Sequence, residues 1–307
     1  MATIAVIAAG AMGSAIGRRL SKHGATVLTS LRDRGEASHL RAEAAGMIDA
    51  DDQSIVERCD FILSIVPPSE AKPLATRFAP LLSVKDAPIF VDCNAIGATT
   101  VASIAQLLEA EGATCVDGAI IGSPPQDDDR GPALYFSGPA ASELAVLSGY
   151  GLDVRIIAGP IGAASALKLS YAGITKGLVA VGAAMISAAE RAGAGAALKA
   201  ELAASQPQLL ARFEKTLPDM YPKAYRWVEE MRAISEFIGA DYPEWRSTPV
   251  RRAFMLASRR SLMDWRRRPA SIAFWRDLSP DDSGASERLR PAMHDRAEFV
   301  RQHDQAL

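Results

Sequence analysis

Lys168 is the residue whose type and surroundings point most directly to proton chemistry. It ends the run Gly162-Ala163-Ala164-Ser165-Ala166-Leu167-Lys168, which is otherwise small and apolar. A charged lysine there is costly unless it reaches solvent or a partner, and desolvation moves its pKa down toward the range of a working general acid and base. Tyr171 and Thr175 follow on the same helical face and are placed to orient a substrate. Lys176 is the rival for the same role, and a lysine snorkelling to the surface is the plainer account of either. The four histidines, His23, His39, His294 and His303, stand away from strand ends or in a polar tail. Histidine-based proton transfer and metal binding therefore have no cluster to rest on. The three cysteines, Cys59, Cys93 and Cys115, have neither zinc nor disulfide spacing and read as reduced core thiols.

A second chemical signal opens the chain. In Ile4-Ala5-Val6-Ile7-Ala8-Ala9-Gly10-Ala11-Met12-Gly13 an apolar strand runs straight into a helix. Gly10 and Gly13 occupy the second and third glycine positions of the dinucleotide fingerprint: one lets the backbone approach a pyrophosphate, the other lets helix and strand pack closely. The unpaired N–H groups of the helix start then face the anion. Ala8 stands where the first glycine belongs, so the turn must accommodate a side chain. After the second strand the chain reads Thr29-Ser30-Leu31-Arg32-Asp33-Arg34. An acid in that place would bind the 2′-hydroxyl of NAD, and an arginine the 2′-phosphate of NADP. Ser30 and Arg32 favour NADP; Asp33 keeps NAD open.

These residues need a scaffold, and the first half of the chain predicts one. Strands are expected at Thr3–Ala8, Thr26–Ser30, Phe61–Val66, Pro88–Cys93 and Thr114–Asp117, with two short closing strands at Leu134–Ser137 and Asp153–Ile157. Helices are expected at Met12–Lys22, Glu36–Ala45, Ser69–Leu82 and Thr99–Glu111. Buried apolar strands separated by helices imply a parallel sheet covered on both faces. From Gly162 to about Gly193 the pattern is one long helix rich in alanine and glycine, apolar enough to be buried nearly all round. Further helices follow at roughly Ala197–Lys215, Pro222–Gly239 and Pro249–Arg267, then a loop over Ser279–Ser286 and a polar end. The fold class is α/β: a Rossmann-type dinucleotide domain over residues 1–160, then an all-helical substrate and dimerisation domain over 161–307.

With those motifs in order, the chain resembles the β-hydroxyacid dehydrogenase superfamily, which includes the 3-hydroxyisobutyrate and 6-phosphogluconate dehydrogenases. Four segments carry the likeness: Ile7–Gly13, Ser64-Ile65-Val66-Pro67-Pro68, Asp117-Gly118-Ala119-Ile120-Ile121-Gly122-Ser123, and Gly162–Lys168. The helical C-terminal half, through Tyr221–Met231, is similar to a bacterial phosphogluconate-dehydrogenase-like subgroup. The resemblance implies cofactor contacts from Ala8, Gly10, Ala11, Met12, Gly13, Ile65, Val66 and Pro67, beside Ser30 and Arg32. It also implies a catalytic Lys168 and a substrate carboxylate held around Gly122 and Ser123. Asn94 is placed to touch the nicotinamide end. The chain departs from the family at Pro124 and Pro125, which remove two donors. Ala95 replaces a commonly polar residue, and Ala172 stands where the family has an asparagine four residues beyond the lysine.

The implied activity is NADP-dependent hydride transfer to or from a small, anionic hydroxyacid or related alcohol or carbonyl, in a cleft between the domains. The alternatives are an imine reductase of the same superfamily, whose members usually replace the lysine, or a non-catalytic NADP(H) sensor. A homodimer burying the long helix is expected. Composition agrees with an ordinary globular chain: 49% hydrophobic, 23% charged and a formal net charge of −2 over 307 residues. A pI near 6.1 argues against nucleic-acid binding, although Arg246–Arg268 is rich in arginine, with Asp264 its single acid. That strip reads as a solvated face or an attractor for an anionic ligand. The N-terminus lacks a basic leader and Ala172–Ala189 is interrupted by Lys176, so a cytoplasmic protein outside the membrane is expected.

Overall fold

The computed structural model describes residues 1–126, 131–220 and 228–239. The chain divides into two compact units, Met1–Ala172 and Gly173–Leu307. In the first, the elements are β1 (Thr3–Ile7), α1 (Ala11–Lys22), β2 (Thr26–Thr29), α2 (Glu36–Ala44), β3 (Ile48–Asp49), α3 (Asp52–Arg58), β4 (Phe61–Ser64), α4 (Pro68–Phe78), β5 (Ile89–Asp92), α5 (Ala98–Ala110), β6 (Cys115–Ile121), β7 (Ala133–Ser137), a 3₁₀ stretch (Ala141–Tyr150) and β8 (Asp153–Ile157). They build one sheet in the order β3-β2-β1-β4-β5-β6-β7-β8.

The apolar runs explain the layers. Every residue of Phe61–Ser64 is buried, as is the run Ile4–Ile7, because both faces of these central strands are covered. Alternate residues go to opposite faces. Ile4, Val6, Leu63 and Val91 pack with Ile16 and Leu20 of α1. Ala5, Ile7, Ile62 and Phe90 pack with Ile55, Phe78 and Ile104 from α3, α4 and α5. The expected parallel sheet holds from β3 to β6, but β7 runs antiparallel to β6. The link between them is too short for a crossover helix, so the strand must turn back. The 3₁₀ stretch supplies a crossover again, and β8 lies parallel to β7. The pair β3–α3 carried no readable pattern: two residues of strand and seven of helix are too few to show a period.

The long helix α6 (Ala163–Arg191) begins in the first unit and continues into the second. In the second unit its Val179, Ala183 and Ile186 pack with Phe213, Leu217 and Met220. A Cβ at Gly182 would sit 2.4 Å from the Phe213 ring, so the helices cross closely only because that residue is glycine. The helix expected over Ala197–Lys215 is two, α7 (Gly195–Ser205) and α8 (Pro207–Met220). Gln206 precedes a proline and leaves helical geometry, which breaks the run. The last described helix is α9 (Val228–Gly239), whose Glu230 pairs with Lys176. Contrary to burial all round, α6 exposes Tyr171, Ile174, Val181 and Met185 along one side. By length and composition alone α6 could cross a bilayer, a test that the core helix of a globular protein also passes. The helix expected at Pro249–Arg267, the arginine strip and the polar end lie outside the described residues.

Candidate functional site

The turn after β1 is tied to its neighbours by backbone bonds. Ala8 N–H donates to Ile65 O at 3.4 Å, and Ile65 N–H donates to Ile7 O. Gly10 N–H donates back to Ala8 O at 2.9 Å, and α1 starts at Ala11 with no side chain capping it. The N–H groups of its first turn are thus left for an outside acceptor. The two glycines differ in what surrounds them. A Cβ on Gly10 would meet nothing within 4 Å, whereas on Gly13 it would lie 2.0 Å from Ala8 O. Gly13 is therefore required by packing, and Gly10 leaves open space in front of the helix start. Such a turn can seat a pyrophosphate. Ala11 is exposed, and Met12 is half-buried. Arg41 of α2, which sequence pattern alone leaves as a solvated charge, donates Nε–H to Ala9 O at 2.8 Å and brings a guanidinium beside the turn.

At the end of β2, Ser30 is buried and Arg32 is exposed with Asp33 3.6 Å from its Nε. Ser30 and Arg32 line an open depression of about 790 Å³ together with Asp49, Asp51, Arg58 and Arg77. Arg77 is paired with Asp52. Asp49 is an acid that β3 brings alongside β2, where its Oδ1 accepts Leu31 N–H at 2.9 Å. Its position beside Ser30 depends on strand pairing and gives no local sequence signal.

A polar belt crosses the middle of the sheet at one register. Ser64 of β4 lies opposite Asp92 of β5, Asp92 opposite Asp117 of β6, and Asp117 opposite Ser137 of β7. All four are at most 1% exposed. Side chains level with one another across a sheet share a face, so the belt is continuous. Asp117 accepts from Ser137 Oγ and from the N–H groups of Gly162 and Ser165, each at 3.0 Å, and from Ser165 Oγ at 2.6 Å. It thereby fixes the start of α6 to the sheet. Asp92 accepts from Asn94 N–H and Nδ2, both at 3.0 Å. Asn94 Nδ2 also donates to Ser64 Oγ at 2.8 Å, and Asn94 Oδ1 accepts Val66 N–H at 2.7 Å. Asn94 is 2% exposed and both its amide protons are engaged inside the belt, where it locks the Val66 loop to the end of β5.

Lys168 is half-buried, one turn beyond Ser165 on α6. Its charge acts on Asp92. Burial pushes the Asp92 carboxyl up from its ordinary 3.8 to about 6; the Asn94 hydrogen bonds pull the other way, Asp117 adds to the rise, and Lys168 opposes it. Tyr171 is exposed on the same helix, and Thr175 is half-buried in the second unit. Gly122 and Ser123 are exposed at the end of β6. Gly122 has φ +133°, and an added Cβ would touch Pro132 at 3.0 Å, so the turn there needs glycine. Ile65 is half-buried and Pro67 exposed at the mouth of β4. Among the described residues no group of three or more His, Cys, Asp or Glu side chains is placed to hold a metal ion.

Residues 3–95 match a family described as NADP oxidoreductase, coenzyme F420-dependent, and residues 189–252 match a domain family of unknown function, DUF1932. An uncharacterised 28.5 kDa protein of Methanothermus fervidus is 29% identical over 168 residues, which span 54% of this chain and 63% of that relative, less than two thirds of its length. Among solved structures, the conserved protein MTH1747, described as structurally similar to 3-hydroxyacid dehydrogenases, is 25% identical with a TM-score of 0.72. The match covers 84% of this chain and 98% of that one. The Mycobacterium tuberculosis 3-hydroxyisobutyrate dehydrogenase solved with L-serine shares the fold, at 16% identity and a TM-score of 0.62, over 84% of this chain and 93% of that one.

Proposed function

We propose that the chain is an NADP-dependent oxidoreductase acting on a small anionic hydroxyacid or the matching carbonyl compound, a reading supported by its likeness in fold to 3-hydroxyacid-dehydrogenase-like proteins and by the match of residues 3–95 to an NADP oxidoreductase family. One observation carries the reading. Within one unit, the open glycine at the start of α1 follows β1, and Lys168 follows the start of α6 that Asp117 ties to β6 of the same sheet. The strand ends of β1, β4, β5 and β6 lie side by side, so cofactor-side and proton-side groups share one edge. Ligands of open α/β sheets bind at that edge.

The roles follow from position. The first-turn N–H groups of α1 and the open space at Gly10 receive the pyrophosphate; Arg41 adds positive charge beside it. Ser30 and Arg32 face the adenosine end, where Arg32 favours a 2′-phosphate. A bound nicotinamide supplies or accepts the hydride. Lys168 moves the proton at the substrate oxygen: it takes the hydroxyl proton in oxidation and returns it in reduction. The Gly122 backbone, Ser123 and Tyr171 hold the anionic end of the substrate. A homodimer through the exposed side of α6 and a cytoplasmic setting complete the proposal.

The test is calorimetric titration of the parent and Lys168→Ala with NADPH and NADH, followed by turnover of small hydroxyacids. The expected result is micromolar NADPH binding at least about tenfold tighter than NADH, equal in both proteins, with turnover lost only in the variant. No binding of either nucleotide refutes the proposal. Tighter NADH would transfer the specificity to Asp49 and Asp33, and full turnover by Lys168→Ala would leave a dinucleotide-binding protein with a different proton route.

A further inference from the structure

We propose that Asp49 determines cofactor specificity by acting through Arg32: its carboxylate holds the turn Leu31–Arg34 in place, so that the Arg32 guanidinium is preset for a 2′-phosphate. The inference deepens the NADP reading of the end of β2 and rests on it. An acid beside that strand end points the other way at first sight, because a carboxylate there can bind the ribose hydroxyls of NAD.

The bonds around Asp49 decide between the two roles. The β2–β3 ladder pairs Leu28 with Ile48 and Thr29 with Asp49, and Thr29 O accepts Ala50 N–H at 2.9 Å. Beyond that bond β3 has ended, and Leu31 N–H donates to Asp49 Oδ1 at 2.9 Å rather than to a strand carbonyl. The Leu31 side chain is buried in the core on the α1 side of the sheet. Leu31 is thus fixed at both its backbone and its side chain. From it the chain makes one tight turn: Arg34 N–H donates to Leu31 O at 3.0 Å, and Asp33 takes φ +58°. Arg32 is the first residue beyond the anchor, so the Asp49 bond limits where its guanidinium can reach.

The ion pair of Arg32 does not supply that constraint. Its Nε is 3.6 Å from Asp33 and both side chains are largely exposed, a pair that water screens. Asp51 and Asp52 line the same depression and have partners of their own: Asp51 accepts Ser54 N–H at 2.7 Å, and Asp52 pairs with Arg77. Asp49 is the acid whose bond bears on the Arg32 turn. Setting the turn beforehand lowers the ordering cost that a phosphate contact otherwise meets on binding. The benefit falls on NADPH alone, since NADH has no 2′-phosphate for Arg32 to meet.

The test separates the bond from the charge. Asp49→Asn loses the charge but keeps an oxygen to accept Leu31 N–H; Asp49→Ala loses both. Asp49 is exposed, so neither change reaches the core. Full-length parent, both variants, Arg32→Ala and the double variant Asp49→Ala/Arg32→Ala would be titrated calorimetrically with NADPH and NADH. Amide exchange of Leu31 would be followed without nucleotide. In Asp49→Ala the Kd for NADPH should rise about tenfold, that for NADH should stay within about twofold, and Leu31 N–H should exchange faster. Asp49→Asn should bind NADPH at least as tightly as the parent, with the parent's Leu31 exchange. The double variant should bind NADPH no more weakly than Arg32→Ala, because Asp49 acts through that side chain.

Two results overturn the inference while the parent still prefers NADPH. One is an NADPH-to-NADH affinity ratio in Asp49→Ala that stays within about twofold of the parent's or shifts toward NADPH. The other is a loss of NADPH affinity in Asp49→Asn equal to that in Asp49→Ala, which would make the charge and not the bond responsible. A parent without preference for NADPH refutes the reading of Arg32 itself, and the inference falls with it.

Discussion

Asp92→Asn should make the protein more stable than the parent at neutral pH and remove one pH-dependent step from its stability. Asp92 is 1% exposed, and its carboxyl is raised from 3.8 to about 6, chiefly by burial. A raised value means that the folded state holds this proton more tightly than the unfolded chain. Between about pH 4 and pH 6 the folded state therefore carries more protons, and stability falls as pH rises through that window. Below about pH 4 the group costs nothing through ionisation; above about pH 6 the full cost is present, about 3 kcal/mol. Because the side chain is sealed from water, no screening discount applies. Asparagine carries no charge and lacks the step. It retains one acceptor for the two Asn94 donors, so a pH-independent loss of about 1 kcal/mol is set against the gain.

The net expectation is a variant about 1 kcal/mol less stable than the parent near pH 4 and about 2 kcal/mol more stable near pH 8. Parent and variant would be melted side by side at unit steps across that range. Every other titrating group largely cancels in the difference. For a unit of this size about 2–4 °C corresponds to each kcal/mol, so the difference in Tm should swing by roughly 6–12 °C. A difference that stays constant from pH 4 to pH 8 would refute the burial argument. It would mean that the Lys168 charge and the Asn94 bonds already offset the desolvation of Asp92 in full.

The two glycines of the first turn should separate fold from binding. Gly10→Ala adds a Cβ into open space, so Tm should stay within about 1 °C while calorimetry shows NADPH affinity down by about tenfold or more; unchanged affinity would remove the pyrophosphate from that turn. Gly13→Ala places a Cβ 2.0 Å from Ala8 O and should lose both binding and about 1–3 kcal/mol of stability in thermal melts. On α6, Tyr171, Ile174, Val181 and Met185 recur at three- to seven-residue spacing and are all at least half exposed. Sedimentation should show a homodimer that Met185→Glu converts to monomer, and a monomeric parent would disprove that role.

Much of this was legible in the residues themselves. The strand-to-helix turn at Ile7–Gly13 announces itself because adjacent residues carry the whole signal, and Lys168 stands out because a charge in an alanine-rich helix breaks the local pattern. The belt was not legible. Asp92 and Asp117 each end or enter an apolar run, where a polar residue usually just marks a strand boundary. Only the pairing of β5 with β6 makes them neighbours. Asp49 and Arg41 were hidden for the same reason: one reaches the site through the β2–β3 pairing, the other through a bond to Ala9 O from a helix more than thirty residues away in sequence. Asn94 was legible as a residue at the right strand end, yet its partners lie on β4 and the Val66 loop, and these decide what its amide does.

The departures from the pattern of the dehydrogenases that the chain resembles fall unevenly, and on the proposed function that unevenness bears on the substrate. Ala8 stands where the first glycine belongs, and its carbonyl accepts Gly10 N–H and fills the room beside Gly13, so Gly13 has no space for a side chain. On the proposed proton side, Lys168 is retained and Asp117 fixes the start of its helix. The losses at Pro124, Pro125 and Ala172 concern groups that would grip the substrate. A site that keeps its means of moving a hydride and a proton while changing its grip is suited to the same chemistry on a different molecule. Removing donors from the loop after Ser123 selects against a carboxylate that needs several backbone N–H groups. On this argument, within the proposed class of small anionic hydroxyacids, those whose anionic group sits further from the reacting carbon should turn over faster than 3-hydroxyacids, and equal or slower turnover would refute it.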